Sequence, residues 1–342
     1  MSEAYEKIKA ELSKNPKKWL VTGAAGFIGS HIMEELLSLG QEVTALDNLS
    51  TGYEKNIHDV LKLFPNEKTK NFSFIKGDVC DLTTCEKALS GVDYVLHQAA
   101  IGSVPRSIIE PLVSFHSNVT GFNNIIFAAK NAKVKRFVYA SSSSVYGDDP
   151  TLPKKEDNLG NLLSPYALSK YENELTAEVF ARCYGMETIG LRYFNVFGAR
   201  QDPNGSYAAV IPLWTKELMK NGILYINGDG ETSRDFCYVK NVVQANILAA
   251  TAQNSKAVNR AYNVSCGNKT SLNELYAFLK EGLLADFSVL ATHKPSYRGF
   301  RDGDIRHSMA DIDAIQNALG YSPTHQVKEG IALAIDWYKK NL

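Results

Sequence analysis

The sequence predicts an α/β fold: a Rossmann-like doubly wound parallel sheet with a smaller C-terminal α/β substrate lobe. Three observations predict it. Short apolar runs such as Trp19-Leu20-Val21-Thr22 and Val43 to Leu46 lack polar alternation, as strands buried on both faces do. Segments with helical apolar spacing follow such runs, a rhythm that builds a parallel sheet covered on both sides. Between the first run and its helix stands Gly23-Ala24-Ala25-Gly26-Phe27-Ile28-Gly29, with three glycines in seven residues.

In chain order, Tyr5 to Leu12 places Ile8 and Leu12 at helical spacing, a short leading helix that Asn15-Pro16 ends. The first strand follows, then a helix over Phe27 to Leu39 with Ile28, Ile32, Leu36 and Leu39 on one face. Gly40 stops it, since glycine accepts the left-handed cap. Val43 to Leu46 is the second strand and ends at Asp47. Phe72-Ser73-Phe74-Ile75, Val92-Asp93-Tyr94-Val95-Leu96 and Arg136-Phe137-Val138-Tyr139-Ala140 are further strands. The last runs into Ser141-Ser142-Ser143-Ser144. After residue 200 the rhythm changes, with a loop at Gln201 to Gly205 and a tight turn at Asn227-Gly228-Asp229-Gly230. Leu272 to Leu284 and Val327 to Tyr338 read as helices. The expected division is 1–200 for the cofactor lobe and 201–342 for the main substrate lobe, with some chain exchange. The smaller lobe should cover the C-terminal edge of the sheet, where open α/β folds bind ligands.

Composition narrows the partners. Lys+Arg and Asp+Glu are each 37, so the formal net charge is zero, which disfavours nucleic acid or an anionic membrane as main partner. A local basic pocket for a phosphorylated small molecule remains compatible. No apolar stretch approaches the roughly 20 residues that span a bilayer, and Met1 to Lys18 is polar and lysine-rich. The cysteines (Cys80, Cys85, Cys183, Cys237, Cys266) are odd in number and scattered, without a Cys-x-x-Cys pair. Neither a metal site nor a disulfide framework is expected, and a reduced, cytoplasmic setting fits.

The glycine turn has a physical use. The first glycine permits the tight turn, the second lets a pyrophosphate approach the backbone, and the third lets helix and strand pack closely. The helix N-terminus then offers unpaired N–H groups to phosphates. The spacing is G-x-x-G-x-x-G; its strand–turn–helix context carries the reading. Asp47 ends the second strand, where a carboxylate can accept from a ribose hydroxyl and repel a 2′-phosphate. NAD is therefore expected rather than NADP. Gly77-Asp78-Val79 can flank the adenine, or form an ordinary turn.

Tyr166-Ala167-Leu168-Ser169-Lys170 supplies the chemistry. A lysine four residues after a tyrosine lies one helical turn away on the same face. Its charge, with that of an oxidised nicotinamide, favours the phenolate of a group whose ordinary pKa is about 10. Ser164-Pro165 suits a helix start. Ser142 can add a hydroxyl to the same site.

Together these residues resemble the extended short-chain dehydrogenase/reductases, and among them the bacterial UDP-N-acetylglucosamine 4-epimerases, over nearly the whole chain. The resemblance is carried by Gly23/Gly26/Gly29, Asp47-Asn48, His97-Gln98-Ala99-Ala100, Ser142, Tyr166/Lys170, the Arg192 to Gly198 run, Arg234-Asp235 and Arg301-x-Gly-Asp304. It implies a cofactor site of Gly23, Gly26, Phe27, Ile28, Gly29, Asp47, Asn48, Ser50, Thr51, Gly52, Asp78, Val79, Gln98, Ala99, Ala100, Tyr166, Lys170 and Tyr193. It implies that Tyr166 takes the sugar O4 proton while Ser142 holds that oxygen. Hydride leaves C4 and returns to the other face of a 4-keto sugar that has turned over in the pocket. Ser143 can assist near the sugar, and Ser144 is expected to pack.

For the UDP-sugar, the resemblance implies Gly102, Ser103, Asn195 and the backbone at Ala209-Val210, with Tyr225 and Asn227 at the uracil. Arg234 and Arg301 would bind the diphosphate, since guanidinium groups fork onto phosphate oxygens. Asp304 would take the uridine ribose. Two departures bear on the sugar. Gly102 stands where non-acetylated UDP-galactose epimerases carry a lysine, and Ser308 where they carry a bulky tyrosine. Both remove volume, and a 2-acetamido group needs volume, so UDP-GlcNAc/UDP-GalNAc is the expected substrate pair. Sugar-nucleotide dehydratases carry Asp-Glu where Ser143-Ser144 stand here, so dehydration and decarboxylation are disfavoured. Two rival functions stand beside epimerisation of the acetylated sugar: action on its uronic acid form, and a non-enzymatic dinucleotide sensor. His97 and His307 read as structural. By resemblance a homodimer is expected, through Val113 to Lys130 and Tyr166 to Tyr184.

Overall fold

The strand rhythm continues two strands beyond those read from the sequence. The computed structural model describes residues 2–203, 209–300 and 305–342. At its centre lie β1 (Lys18–Thr22), β2 (Glu42–Asp47), β3 (Phe72–Lys76), β4 (Tyr94–His97), β5 (Arg136–Ser142), β6 (Thr188–Tyr193) and a closing strand, Arg260–Val264. They form a 7-stranded sheet in the order Arg260–Val264, β6, β5, β4, β1, β2, β3. Every neighbouring pair is parallel. The chain runs outward from β1 to β3, then crosses to β4 on the other side of β1. That reversal opens a crevice at the C-terminal ends of β1 and β4.

Trp19, Leu20 and Val21 are fully buried, as a central strand requires. Each large apolar side chain so buried favours folding by about 1.5–3 kcal/mol. The helix after the glycine turn spans Phe27–Ser38 and buries Ile32, Met33, Leu36 and Leu37 against the sheet. The leading helix, Glu3–Lys14, is capped by Ser2 and ended by Asn15.

Two strand boundaries and one whole strand stand out against the sequence reading. β4 begins at Tyr94, not Val92, because the Val92 N–H closes a turn onto Leu89 O at 3.2 Å. β5 runs on through Ser142, which places that serine at the strand end. β6 was obscured by Gly190 and Arg192, yet all six of its residues are buried. Gly190 leaves room for the Tyr139 ring, whose oxygen lies 2.7 Å from where a Cβ would stand. Arg192 is matched by the buried Glu174.

The C-terminal portion packs a second core beneath the helices Val210–Met219, Leu272–Leu283 and Val327–Asn341. Its strands are two- and three-residue pairs: Tyr225–Asn227 with Ser296–Arg298, Ser233–Arg234 with Thr270–Ser271, and Val196–Phe197 with Cys237–Tyr238. The Ser271–Glu274 capping box starts the second of those helices. The helix Val239–Thr251 returns to the main sheet, and Arg260–Val264 closes its edge, so the chain passes between lobes after residue 200. No helix among the described residues is long and apolar enough to cross a membrane.

Candidate active site

The glycine turn sits in the crevice. Gly23 has φ +65°, and a Cβ there would lie 2.8 Å from the Ala99 nitrogen, so both its conformation and the approach of the β4 end require glycine. A Cβ on Gly29 would fall 2.1 Å from Gly23 O, inside the turn itself. Gly26 is the N-cap residue of Phe27–Ser38, and the first backbone bond inward is Ser30 N to Gly26 O at 3.1 Å. The amides of Phe27, Ile28 and Gly29 are thus left as helix-end donors.

A cavity of about 350 Å³ opens here. Gly23, Gly26, Phe27, Ile28, Gly29, Asp47, Asn48, Ser50, Thr51, Gly52, Val79, Gln98, Ala99, Ala100, Tyr166, Lys170 and Tyr193 line it, all drawn from the cofactor set expected by resemblance. Asp78 alone of that set does not: its carboxylate accepts from Asn48 Nδ2 at 2.8 Å and from the Cys80 amide. Asp47 accepts from the Ala25 and Leu49 amides at 2.9 and 2.8 Å. Burial raises its pKa, against those two bonds. Each carboxylate oxygen retains acceptor capacity for a ribose hydroxyl.

The sequence reading missed Arg200 on the cavity wall. Its Nη2 donates to Glu34 Oε2 at 2.5 Å and lies 2.6 Å from His31 Nδ1. Burial, then Arg200, holds the His31 pKa well below its usual value, so that imidazole is neutral. Arg200 Nε is buried without a partner among the described residues. Helix-end amides, a carboxylate at the strand end and an unspent guanidinium N–H fit a dinucleotide with its pyrophosphate. Tyr53 Oη reaches Asp202 Oδ2 at 2.8 Å, joining two edges of the same cavity.

Tyr166 and Lys170 stand one turn apart on the helix Pro165–Tyr184. Ser164 caps it by accepting from the Ala167 amide at 3.1 Å, and Pro165 occupies the first turn. The Tyr166 amide donates to Ser107 Oγ at 3.0 Å, and Ser107 is fully buried. Ser107 therefore fixes the backbone that carries the phenol, a contact between distant segments without a sequence signal. Lys170 Nζ donates to Ala140 O at 2.9 Å and lies 5.9 Å from the Tyr166 ring centroid. Burial lowers the Lys170 pKa to about 8, with Glu174 pulling it back up. Burial raises the Tyr166 pKa, and the Ser142 hydroxyl pulls it down.

Ser142 Oγ accepts from the Ser144 amide at 3.1 Å and from Ser144 Oγ at 3.0 Å. Ser144 thus holds the Ser142 hydroxyl through both its amide and its side chain. Ser143 opens a single 3₁₀ turn and is half-buried. Asn118, in a π-helical turn, clasps the Ile101 backbone through Oδ1 at 2.7 Å and Nδ2 at 3.1 Å, and also donates to Ser169. His97 is buried beside Thr22, and burial, then the Lys170 charge, lowers its pKa to about 3. It stays neutral, in keeping with a structural role.

Of the described residues expected at the sugar nucleotide, Gly102 lines this cavity, whereas Ser103, Asn195, Ala209, Val210, Tyr225, Asn227, Arg234 and Ser308 do not. A Cβ on Gly102 would meet nothing within 4 Å. Ser103 has φ +89°, and its hydroxyl caps the next helix through the Arg106 amide. Asn195 donates to Asp235 O at 3.1 Å. Ala209 and Val210 begin the helix Val210–Met219. Tyr225 and Asn227 share a short strand, where Arg298 crosses the Tyr225 ring at 5.3 Å and donates to Asn227 Oδ1 at 2.6 Å. Arg298 was missed because it lies in a segment without motif. Arg234 Nη1 donates to Ser233 O at 2.9 Å, and the Ser308 amide donates to the same carbonyl at 3.1 Å. Asp235, its pKa pushed up to about 6 by burial, accepts from the Cys266, Gly267 and Ala310 amides. It thereby anchors the segment that carries Ser308. Arg301 and Asp304 lie outside the described residues.

Residues 19–265 match the model of the NAD dependent epimerase/dehydratase family. The chain belongs to this family. The NAD-dependent epimerase/dehydratase relatives include a UDP-glucose 4-epimerase of Mycolicibacterium smegmatis, 34% identical, covering 94% of this chain and 98% of its own. A UDP-N-acetylglucosamine 4-epimerase of Methanobrevibacter ruminantium, solved with UDP-N-acetylmuramic acid, is 38% identical. It superposes with a TM-score of 0.86 over 96% of this chain and 99% of that one. A dTDP-glucose 4,6-dehydratase of Streptomyces venezuelae, solved with NAD, is 30% identical with a TM-score of 0.81 over 95% and 97%. The family thus spans substrates and reactions that differ, and only this chain's own site residues separate them.

Proposed function

We propose that the chain is an NAD-dependent 4-epimerase of UDP-hexoses that prefers UDP-GlcNAc and UDP-GalNAc. The observation that carries the reaction type is one cavity edge holding Tyr166, Lys170 and the β5 end, beside hydroxyls at 143 and 144. Bound NAD supplies a reversible acceptor for the hydride at sugar C4. Tyr166 Oη takes the O4 proton and later returns it, Ser142 Oγ holds O4, and Lys170 favours the phenolate. Elimination across C5 and C6 needs an acid and a base, and serines supply neither at neutral pH. In this reading residues 1–200 form the cofactor lobe and 201–342 mainly the sugar-nucleotide lobe. Gly23, Gly26, Asp47 and their neighbours hold NAD. Asn195, Ala209, Val210, Tyr225, Asn227, Arg234, Arg301 and Asp304 receive UDP.

Open space beside Gly102 supports the acetamido preference, as does likeness to a UDP-N-acetylglucosamine 4-epimerase. Ser308→Tyr and Gly102→Lys should each lower UDP-GlcNAc turnover at least about 10-fold while sparing UDP-glucose, the discrimination a filled pocket gives. Unchanged UDP-GlcNAc turnover in both would remove the assignment.

The function is tested without added cofactor, by proton NMR of UDP-GlcNAc, UDP-glucose and UDP-glucuronate incubated separately with the protein. Conversion of UDP-GlcNAc to its 4-epimer, faster than the others, is expected. A persistent 4-keto-6-deoxy product would mean dehydration. Faster conversion of UDP-glucose or UDP-glucuronate would overturn the preference.

Leu112 is 82% exposed, and Phe127, Leu168, Leu175, Val179 and Tyr184 lie exposed on neighbouring helices. A second copy would cover them in a homodimer. Sedimentation equilibrium should give a dimer for the native chain and a monomer for the Leu175→Glu/Val179→Glu variant; a native monomer refutes the pairing.

A further inference from the structure

We propose that Asn246 is a positioning residue that fixes the polarity of Gln98, so that the cavity presents an amide N–H donor to the bound dinucleotide. The inference rests on the reading that this cavity holds NAD. Asn246 lies on Val239–Thr251, a helix buried over nearly its whole surface, and is itself fully buried. A buried amide must find partners for its donors and acceptor.

The partners form a closed ring. Asn246 Nδ2 donates to Val242 O at 2.8 Å and to Tyr193 Oη at 2.8 Å. Gln98 Nε2 donates to Asn246 Oδ1 at 3.0 Å. Tyr193 Oη donates to Gln98 Oε1 at 3.0 Å. A carbonyl can only accept, so Val242 O decides which end of the Asn246 amide is nitrogen. Asn246 Oδ1 must then face a donor, and only the NH₂ end of Gln98 can serve. Gln98 Oε1 is left to accept from Tyr193, whose oxygen accepts from Asn246 in turn. A reversed Gln98 would set Oε1 against Asn246 Oδ1, acceptor against acceptor. One backbone carbonyl therefore orients three side chains.

The ring leaves one group over. The Gln98 amide has two N–H bonds, and the ring uses one. Its oxygen is committed to Tyr193. Gln98 and Tyr193 both line the cavity, whereas Asn246 stands behind them. The unspent Gln98 N–H is therefore the polar group that this part of the wall can offer. It suits an acceptor oxygen, which a carboxamide, a ribose hydroxyl and a phosphate all possess. Asn246 touches none of these and acts only through Gln98.

The test uses full-length protein stripped of nucleotide. Affinity for NAD and for ADP-ribose is measured by calorimetry, and the melting temperature of the stripped protein is recorded beside it. Asn246→Leu should weaken NAD binding by about 3- to 10-fold, the loss of one hydrogen bond. In a Gln98→Met background, Asn246→Leu should cost nothing further in affinity, since the two act as one unit. Should N246L fold poorly, Asn246→Ala removes the same acceptor from Gln98 without adding volume, and the same loss is expected. Weakened NAD with unchanged ADP-ribose assigns the acceptor to the nicotinamide half; equal weakening assigns it to the ADP-ribose half. Wild-type NAD affinity in N246L with a lowered melting temperature would make Asn246 a core residue only and overturn the inference. Losses that multiply in the double variant would overturn it too. A wild-type protein that binds no NAD would sink the cavity reading itself, a separable result.

Discussion

Tyr166→Phe is expected to lower turnover by roughly 10³-fold, within the range of a lost general base, while the purified protein keeps its NAD. The substitution removes one oxygen. The ring remains beside Lys170, the Ser107 and Ser164 contacts act on the backbone, and the helix start is unaltered. A loss confined to turnover, with one NAD released per chain on denaturation as in the native protein, separates chemistry from binding. A loss below about 10-fold would mean that another group moves the O4 proton. The pH profile adds a sign. Burial raises the Tyr166 pKa, so the phenolate fraction, and with it turnover, should climb as pH rises above neutrality. Lys170 is cationic below its own value of about 8, so Lys170→Met should move that climb to higher pH. A profile that falls with rising pH between 6 and 8 would contradict a phenolate base.

Much of this site was legible because it is local. The glycine turn, Asp47 and the Tyr166/Lys170 pair are each specified within one turn or one strand end, where spacing dictates geometry. Gly23 and Gly29 announce themselves since no Cβ fits at either. Ser107, Arg200 and Asn246 were not legible, for the opposite reason. Ser107 acts across 59 residues, Arg200 reaches His31 across 169, and Asn246 meets Gln98 across 148. Nothing in a short window distinguishes such a serine or asparagine from one that faces water. β6 was hidden likewise: its arginine looks like a surface residue until its partner on another element is known. Ser308 shows the middle case. Its neighbours are set by Ser233 O and the Asp235 anchor, so the segment is held in place by residues 75 positions upstream.

That hidden partner gives the second large effect. Glu174 and Arg192 form a bidentate pair, Nε to Oε1 at 2.9 Å and Nη2 to Oε2 at 2.7 Å, with side chains 8% and 5% exposed. Glu174 Oε1 also accepts from Ser141 Oγ at 2.5 Å, and Arg192 Nη1 donates to Tyr146 Oη and Glu156 O at 3.1 and 2.8 Å. Tyr146 continues to Asn263 on the closing strand. One ion pair thus ties β5, β6, the sheet edge and the catalytic helix together, one turn beyond Lys170. Glu174→Leu strands the guanidinium in the interior and should cost about 3–5 kcal/mol of unfolding free energy, read by urea denaturation at matched NAD saturation. Pairing it with Arg192→Met removes both charges, and most of the loss should return, because a buried pair replaced by apolar groups is often near neutral. The double variant still lacks the Ser141 contact, so its turnover should remain below native even where its stability recovers. A single variant costing under about 1 kcal/mol would show that water reaches Arg192 and screens it. A double variant as unstable as the single one would instead locate the stabilisation in the hydrogen bonds to Tyr146 and Glu156. The outcome therefore distinguishes a network kept for stability from one kept to hold Ser142 and Lys170 in register.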